Sequence, residues 1–161
     1  MPRLYIVGAG YRLKMTGEIA DCISRFVDKA RLLGLEVNTS SKSYDSATSF
    51  FAQYTSAMGE MDFVVVVNQM ESFDEGQEDI GKAVLQNWFG QELVLNETAL
   101  RHLKSGGPAE EPSEALRQLA MLPPDCVVVN DPDGGPPGYL SAVREQLFFF
   151  FPHRVRPLQN M

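Results

Sequence analysis

The chain is poor in the residues that usually form disulfides and zinc sites. It has two cysteines, Cys22 and Cys126, and two histidines, His102 and His153. The cysteines show no CxxC spacing and lie in apolar segments, so we interpret them as buried reduced thiols. The histidines are about 50 positions apart, without a cysteine or carboxylate at metal-ligand spacing. Both patterns argue against a zinc site.

Positive charge and long apolar runs are also scarce. Fourteen Lys and Arg stand against 21 Asp and Glu, a formal net charge of −7, and no basic run could follow a phosphate backbone. The longest apolar runs, 63–67 and 147–151, fall far short of the ~20 residues that a membrane helix needs. We therefore expect no nucleic-acid partner and no membrane association, and we predict that both runs are buried strands.

Motifs for secretion and for nucleophilic catalysis are missing as well. The start MPRLYIVGAG has no apolar signal-peptide region, which predicts a cytoplasmic protein. There is no GxSxG motif and no motif that pairs Cys with His. Whether the protein is an enzyme stays open on these grounds.

What the chain does contain is an alternation of strands and helices within a length that fits one domain, residues 1–161. The pattern predicts a three-layer α/β/α sandwich with a mostly parallel central sheet. Asp45 is the predicted cap of the second helix, and a surface loop is predicted over 104–114. The predicted elements are strand 3–8, helix 17–33, a strand from 35, helix 46–58, strand 63–67, helix 76–90, short helices 96–103 and 113–120, and strands 126–130 and 147–151.

Two short segments invite a functional interpretation. VGAG at 7–10 follows a strand, as in dinucleotide-binding turns, but the third glycine of that motif is missing, so a plain tight turn is the alternative. Five carboxylates follow the apolar strand 63–67, at the end where α/β folds bind ligands. Glu78 and Asp79 could hold Mg²⁺ there, or they could be ordinary acids at a helix start. The five carboxylates are Glu71, Asp74, Glu75, Glu78 and Asp79.

Four segments in order resemble the molybdopterin-binding domain family, which includes MogA, MoaB and the N-terminal domain of CinA-type proteins. TGEIADCISRFVDKARLLGLEV at 16–37 resembles the family's opening "GEivDtNs…la..L..lGveV". GQEDIGKAVLQNWFGQELVLNETALRHL at 76–103 resembles "PTxDDiTreAvAeAlGrpLvldeealerl" of the CinA branch. RQLAMLPPDCVVVNDPDGGPPGY at 117–139 resembles "rmAllPegaevl.NPvGtAPGf", and FFFFPHRV resembles the strand and turn "vvlPGvP".

The resemblance implies a three-layer α/β domain with a role in molybdenum cofactor biosynthesis, which assembles as a homo-oligomer, a dimer or a trimer. It implies a molybdopterin ligand, or a nucleotide-like ligand with hydrolytic activity in the CinA branch. Glu78 and Asp79 match the carboxylates assigned to Mg²⁺ or catalysis. The remaining candidate ligand-binding residues are Gly8, Gly10, Glu18, Asp21, Asn68, Gln69, Ser72, Gly134, Gly135, Pro137 and Gly138.

The chain departs from the family at the phosphate loop. The family's "TGGtGPT" is here VNQMESF at 67–73, so every glycine that lets backbone N–H groups approach a phosphate is replaced. The added acids also place negative charge where a phosphate would bind. Phosphate binding then requires a cation, or compensation by Arg12, Lys14 or Arg154.

Three functions stay open at this point. The first is binding of a pterin or nucleotide phosphate. The second is a CinA-like Mg²⁺-dependent pyrophosphatase that acts on nucleotides of the ADP-ribose type, with Glu78 and Asp79 holding the metal. The third is a degenerate module with a structural or interaction role. The chain also ends at Met161, soon after the last predicted strand, which fits a truncated piece of a larger protein or an unusually short homologue.

Overall fold

The structure is a computed structural model that describes residues 1–10, 16–69, 79–103, 114–133, 135–153 and 158. Strands and helices alternate over most of the chain. In chain order they are β1 (Arg3–Ala9), α1 (Glu18–Leu32), β2 (Glu36–Tyr44), α2 (Ala47–Gln53) with a π-helical turn (Tyr54–Met58), β3 (Phe63–Asn68), α3 (Ile80–Asn87), β4 (Val94–Leu95), α4 (Glu97–Leu103), α5 (Glu114–Leu119), β5 (Met121–Leu122), β6 (Val127–Val129), β7 (Gly138–Val143) and β8 (Gln146–Pro152).

A six-stranded sheet in the order β2-β1-β3-β8-β7-β6 forms the middle of the fold. The pairs β1–β2, β1–β3 and β3–β8 are parallel, whereas β7 runs antiparallel to both of its neighbours. A separate antiparallel pair joins β4 to β5. The prediction of a mostly parallel central sheet is confirmed.

Helices cover the sheet on both sides, as the three-layer prediction requires. Helix α1 packs on what we call the second face, with Ile19, Ile23 and Val27 against Ile6 and Val65. On the opposite, first face lie α2, α3, α4 and the small β4–β5 pair. Alternating side chains of each strand therefore enter one of two apolar cores.

The two apolar runs are neighbouring strands in register. Val64 to Val67 pair with Phe148 to Phe151, and all four valines are almost completely buried. Helices cover both faces of this strand, so all of its side chains are buried, which explains the continuous apolar run FVVVV. The prediction that both runs are buried strands is confirmed.

The helix boundaries agree with the predictions in most places. Helix α1 ends just before Gly34, whose φ of 88° suits glycine after a helix C-terminus. The predicted cap of α2 was wrong by one residue: the Ser46 side chain, not Asp45, accepts the Ser49 N–H. Helix α3 begins at Ile80, and residues 76–78 of the predicted helix lie outside the described residues, as does most of the predicted loop 104–114.

Strand β7 is an element that the sequence patterns did not predict. It lies within the stretch that was treated as a connection between two strands, and it forms a tight hairpin with β8. The two turn residues, Arg144 and Glu145, have φ of 49° and 69°. Such a turn normally carries Asn and Gly, so its usual sequence signal is missing here.

No helix in the described part of the chain is both long enough and apolar enough to span a membrane.

Candidate functional site

The strand order places a crevice at the carboxyl ends of β1 and β3. From β1 the chain passes through α1 on the second face to β2, and then through α2 on the first face to β3 on the other side of β1. The connections thus diverge between β1 and β3, which makes this point a topological switch. Ligands of open α/β sheets bind in the crevice that such a switch leaves beyond the carboxyl ends.

Three strand ends are tied together at this crevice. The Gln69 N–H donates to the Ala9 carbonyl over 2.9 Å, and the His153 N–H donates to the Asn68 carbonyl over 3.1 Å. Asn68 is the last residue of β3 and is fully buried. Two of the predicted ligand-binding residues, Asn68 and Gln69, therefore lie at the switch point, with their backbones fixed by neighbouring strands.

Asp79 joins the start of α3 to the end of β3. Its Oδ1 accepts the Lys82 N–H at 3.1 Å, the hydrogen bond of a helix N-cap, and also accepts the Asn68 Nδ2 at 2.8 Å. In return, Asn68 Oδ1 accepts the Gly81 N–H at 3.3 Å. The helix-start interpretation of Asp79 is what the structure shows, and the same contacts hold its carboxylate at the crevice.

Among the described residues, Lys82 is a cation close to Asp79, and its ammonium contacts another helix. Its Nζ donates to the Gln118 carbonyl at 2.7 Å and to that of Leu119 at 3.4 Å, both at the end of α5. Burial lowers the pKa of Lys82, and the charge of Asp79 partly opposes this shift. A cation at a helix C-terminus is favourable, so we assign Lys82 a role in attaching α5 to α3.

The predicted glycine- and proline-containing loop reaches the same edge of the sheet. Gly138 is the first residue of β7 and pairs with Val129, the last residue of β6. A Cβ on Gly138 would lie 3.0 Å from the Phe150 carbonyl oxygen, so a larger residue would require the neighbouring strand to shift slightly. Gly135 and Pro137 precede it on the same edge. Asp131 lies two residues after the end of β6 and is buried. Its Oδ1 accepts the Asp133 N–H, and its carbonyl contacts His102 Nε2.

The other predicted residues take different positions. Gly8 lies inside β1, paired with Ser43 and Val67, and is not part of a turn. Gly10 lies at the edge, but its N–H already donates to the Tyr44 carbonyl over 2.8 Å. Glu18 and Asp21 are exposed in the first turn of α1, which begins at this edge on the second face.

A metal site is not assembled by the described residues alone, because no group of three or more His, Cys, Asp or Glu among them could hold an ion. Glu78, Ser72 and Gly134, as well as Arg12, Lys14 and Arg154, lie outside the described residues. The Mg²⁺ site with Glu78 and Asp79 therefore stays a prediction.

Two further polar groups at this end of the first face were missed by sequence reasoning. The Tyr139 hydroxyl and Asn130 Oδ1 are buried and have no hydrogen-bond partner within the described residues. Burial raises the pKa of Tyr139 well above its usual value, and the charges of Asp79 and Cys126 act in the same direction. Since Tyr139 lies in the unpredicted strand β7, only the tertiary structure shows its position.

Comparison with known proteins agrees with this architecture, although no family model matches the chain. A crystal structure of the protein CinA, of unknown function, from Thermoplasma acidophilum superposes with a TM-score of 0.73 and 19% identity over 98% of this chain and 92% of the other. The chain has the fold of CinA. The molybdopterin biosynthesis enzyme MoaB of Thermus thermophilus matches at TM-score 0.51 and 13% identity, and covers 99% of this chain and 86% of its own.

Other relatives extend the same comparison. The molybdopterin biosynthesis Mog protein of Mycobacterium ulcerans matches this CinA-like fold with a TM-score of 0.50 and 12% identity, over 99% of this chain and 89% of the other. In sequence, a competence-damage inducible protein of Clostridium botulinum strain 657 is 21% identical over 150 residues, or 91% of the chain. The chain spans 36% of that relative's length. The resemblance in fold to CinA, MoaB and Mog proteins is thereby confirmed.

Proposed function

We propose that this CinA-like domain binds the phosphate-bearing end of a pterin or a nucleotide as its Mg²⁺ complex, at the carboxyl ends of β1 and β3. The observation that carries the proposal is the switch point itself, where the buried Asn68 at the end of β3 holds the carboxylate of Asp79, the cap of α3. Polar side chains that converge in such a crevice are what a binding site in this fold requires.

The charge of the region explains why a cation belongs in the proposal. Asp79 faces the crevice, and the ammonium of Lys82 already donates to two carbonyls of α5. The negative charge of this carboxylate would repel a bare phosphate. Mg²⁺ is typically held by one or two carboxylates together with substrate phosphates, which removes this repulsion.

Asp79 can serve both as a helix cap and as a metal ligand, because the two roles use different atoms. Oδ1 accepts the bonds from Lys82 and Asn68, and we propose that Oδ2 and the carboxylate of Glu78 bind Mg²⁺. The cap holds the carboxylate in a fixed orientation before the metal arrives. The names of the MoaB and Mog relatives support a role in molybdopterin biosynthesis for this chain too.

Thermal unfolding with candidate ligands tests the proposal, since specific binding to the native state raises the midpoint. ADP, GDP, ADP-ribose and a pterin phosphate are each added with and without Mg²⁺. The key variants are Asp79→Asn, which keeps an oxygen that can cap α3 but lacks the negative charge, and Asp79→Ala, which lacks both.

We expect a Mg²⁺-dependent rise for at least one compound with the wild type and none with either variant. Without ligand, Asp79→Asn should unfold near the wild-type midpoint, whereas Asp79→Ala should lose about 1 kcal/mol of stability. A full ligand response in Asp79→Asn would contradict the proposed metal role. A wild type that responds to no compound would contradict the function and favour an interaction module. Hydrolysis of ADP-ribose to AMP and ribose 5-phosphate by a responding protein would indicate a pyrophosphatase.

A further inference from the structure

The two edges of the central sheet differ in how well they are protected against pairing with another chain. Strand β2 forms one edge, and its sequence EVNTSSKSY is mostly polar and contains charges of both signs. Its register with β1 also shifts between Ile6 and Gly8, as at a β-bulge. Charged residues and bulges are two of the ways in which proteins protect an edge strand. The β2 edge is therefore protected.

Strand β6, at the other edge, has neither form of protection. It consists of three valines and pairs with β7 on one side. Val127 is 59% exposed and Val129 is 44% exposed, whereas Val128 packs against the first core. Among the described residues, no strand pairs with the outer side of β6. An exposed apolar edge of this kind can accept a further strand.

The apolar surface of β6 continues inward across the second face of the sheet. Val127 pairs with Leu140 of β7, and Leu140 pairs with Phe149 of β8. Leu140 and Phe149 are only partly buried, and α1 packs farther along this face, on β1 and β3. A strand added to β6 would extend this row, with alternate side chains on the second face beside Val127.

The charged residues around β6 have one sign. From Gln118 to Val143 the chain contains three aspartates and no lysine or arginine. Asp125 and Asp133 are exposed and lie just before and just after β6, and Asp131 is buried. Opposite charges across an interface favour association, and like charges disfavour it. The ends of β6 therefore favour a partner with basic residues over a second copy of this chain, whose aspartates would meet these ones.

We propose that β6 binds an extended peptide segment of another protein by strand addition. The centre of the segment is apolar and packs beside Val127 and Val129, and Lys or Arg at its two ends lies near the aspartates. In this mode of binding, main-chain hydrogen bonds supply affinity and alternate side chains supply selectivity. Strand β6 lies three strands from β3, roughly 14 Å along the sheet, so peptide binding is separate from ligand binding in the crevice.

Fluorescence anisotropy with a labelled synthetic peptide, KKTVTVTKK, tests the proposal. Two matched peptides serve as controls. KKTPTPTKK keeps the positive charge but lacks two backbone N–H donors, and EETVTVTEE keeps the apolar centre but reverses the charge. The wild type should bind KKTVTVTKK at least about tenfold more tightly than either control, and this affinity should fall as the salt concentration rises.

Variants of the protein locate the contact. Val127→Lys places a positive charge on the exposed side of β6 and should weaken binding of KKTVTVTKK at least about fivefold. Asn38→Lys is the matched control, because it adds the same charge at an exposed position of β2 and should leave binding unchanged. Asp125→Asn removes one negative charge beside β6 and should weaken binding at low salt only. Thermal unfolding checks that each variant is folded.

Selective binding of KKTVTVTKK that Val127→Lys weakens and Asn38→Lys does not would support the proposal. It is overturned if the wild type binds none of the peptides or binds all three alike. Equal loss of binding in Val127→Lys and Asn38→Lys also overturns it, because the contact then lies away from β6. Light scattering tests the other occupant: a wild-type dimer that Val127→Lys dissociates would show that β6 pairs with a second copy instead.

Discussion

Gly81 lies in the first turn of α3, two residues after Asp79, where the helix packs closely on the sheet. A Cβ at this position would be 2.8 Å from two carbon atoms of the Phe150 ring and 3.0 Å from Asn68 Nδ2. Contacts this short require the ring or the helix to move. Glycine at position 81 therefore sets how closely Asp79 and Asn68 approach each other.

We predict that Gly81→Ala lowers the free energy of unfolding by about 1–2 kcal/mol, because overpacking outweighs the better helix propensity of alanine. Gly59→Ala is the control, since its Cβ would meet only the Tyr54 carbonyl oxygen at 3.6 Å. Urea denaturation of both variants measures the difference. Equal midpoints for Gly81→Ala and the wild type would show that the contact is relieved at no cost.

Buried polar residues on the first face differ in how well they are satisfied. Gln146 accepts from Tyr54 and donates to the carbonyls of Met58 and Met61 at 2.7 Å each, so it holds the π-helical turn against the sheet. Tyr139, in contrast, has no such partner among the described residues. We therefore assign a structural role to Gln146.

At the scale of elements, the structure decides which of two neighbouring residues, Asp45 or Ser46, caps the start of α2. Asp45 is exposed, whereas Ser46 accepts the Ser49 N–H at 3.1 Å and exchanges further hydrogen bonds with that residue. Both residue types are common N-caps, so the sequence alone does not distinguish them. Their distinction depends on where the backbone turns from β2 into the helix.

We predict that Ser46→Ala lowers the free energy of unfolding by about 1 kcal/mol, the usual cost of a lost N-cap. Asp45→Ala should change it by less than about 0.5 kcal/mol, as expected for an exposed side chain. Chemical denaturation monitored by circular dichroism measures both values. A larger loss for Asp45→Ala than for Ser46→Ala would restore Asp45 as the cap.

At the scale of the whole molecule, β3 connects the two apolar cores. Val66 faces the first core and Val67 the second, and both are fully buried. A change on either face acts on the same strand and on its hydrogen bonds with β1 and β8. The domain should therefore unfold as one cooperative unit.

We predict that Val66→Ala and Val67→Ala each lower the free energy of unfolding by about 2 kcal/mol through lost burial and cavity formation. Trp88, the single tryptophan, stacks on Phe51 beside the first core and reports on that face by fluorescence. Its transition should coincide with that seen by far-UV circular dichroism in both variants. Separate transitions in Val67→Ala would show that the second face unfolds independently.

Much of the fold could be predicted from local patterns in the sequence. Three features depend on residues close together in the chain: the apolar spacing of α1, the uninterrupted runs in β3 and β8, and the start of α4, where Asn96 Oδ1 accepts the Ala99 N–H. The resemblance to the molybdopterin-binding family then indicated how these elements combine. The carboxyl edge of the sheet was the predicted place for a site, because open α/β folds bind ligands beyond the carboxyl ends of their strands.

The features that only the tertiary structure decided join residues far apart in the chain. Strand β7 forms through pairing with β6 and β8, although the turn residues Arg144 and Glu145 are not those that usually indicate a hairpin. The contact between Asn68 and Asp79 depends on how α3 lies on the sheet. Whether the Tyr139 hydroxyl finds a partner depends on every element packed around it. Local sequence determines which segments become strands and helices, because their periodicity is local, but three-dimensional packing determines which buried polar groups find a hydrogen-bond partner.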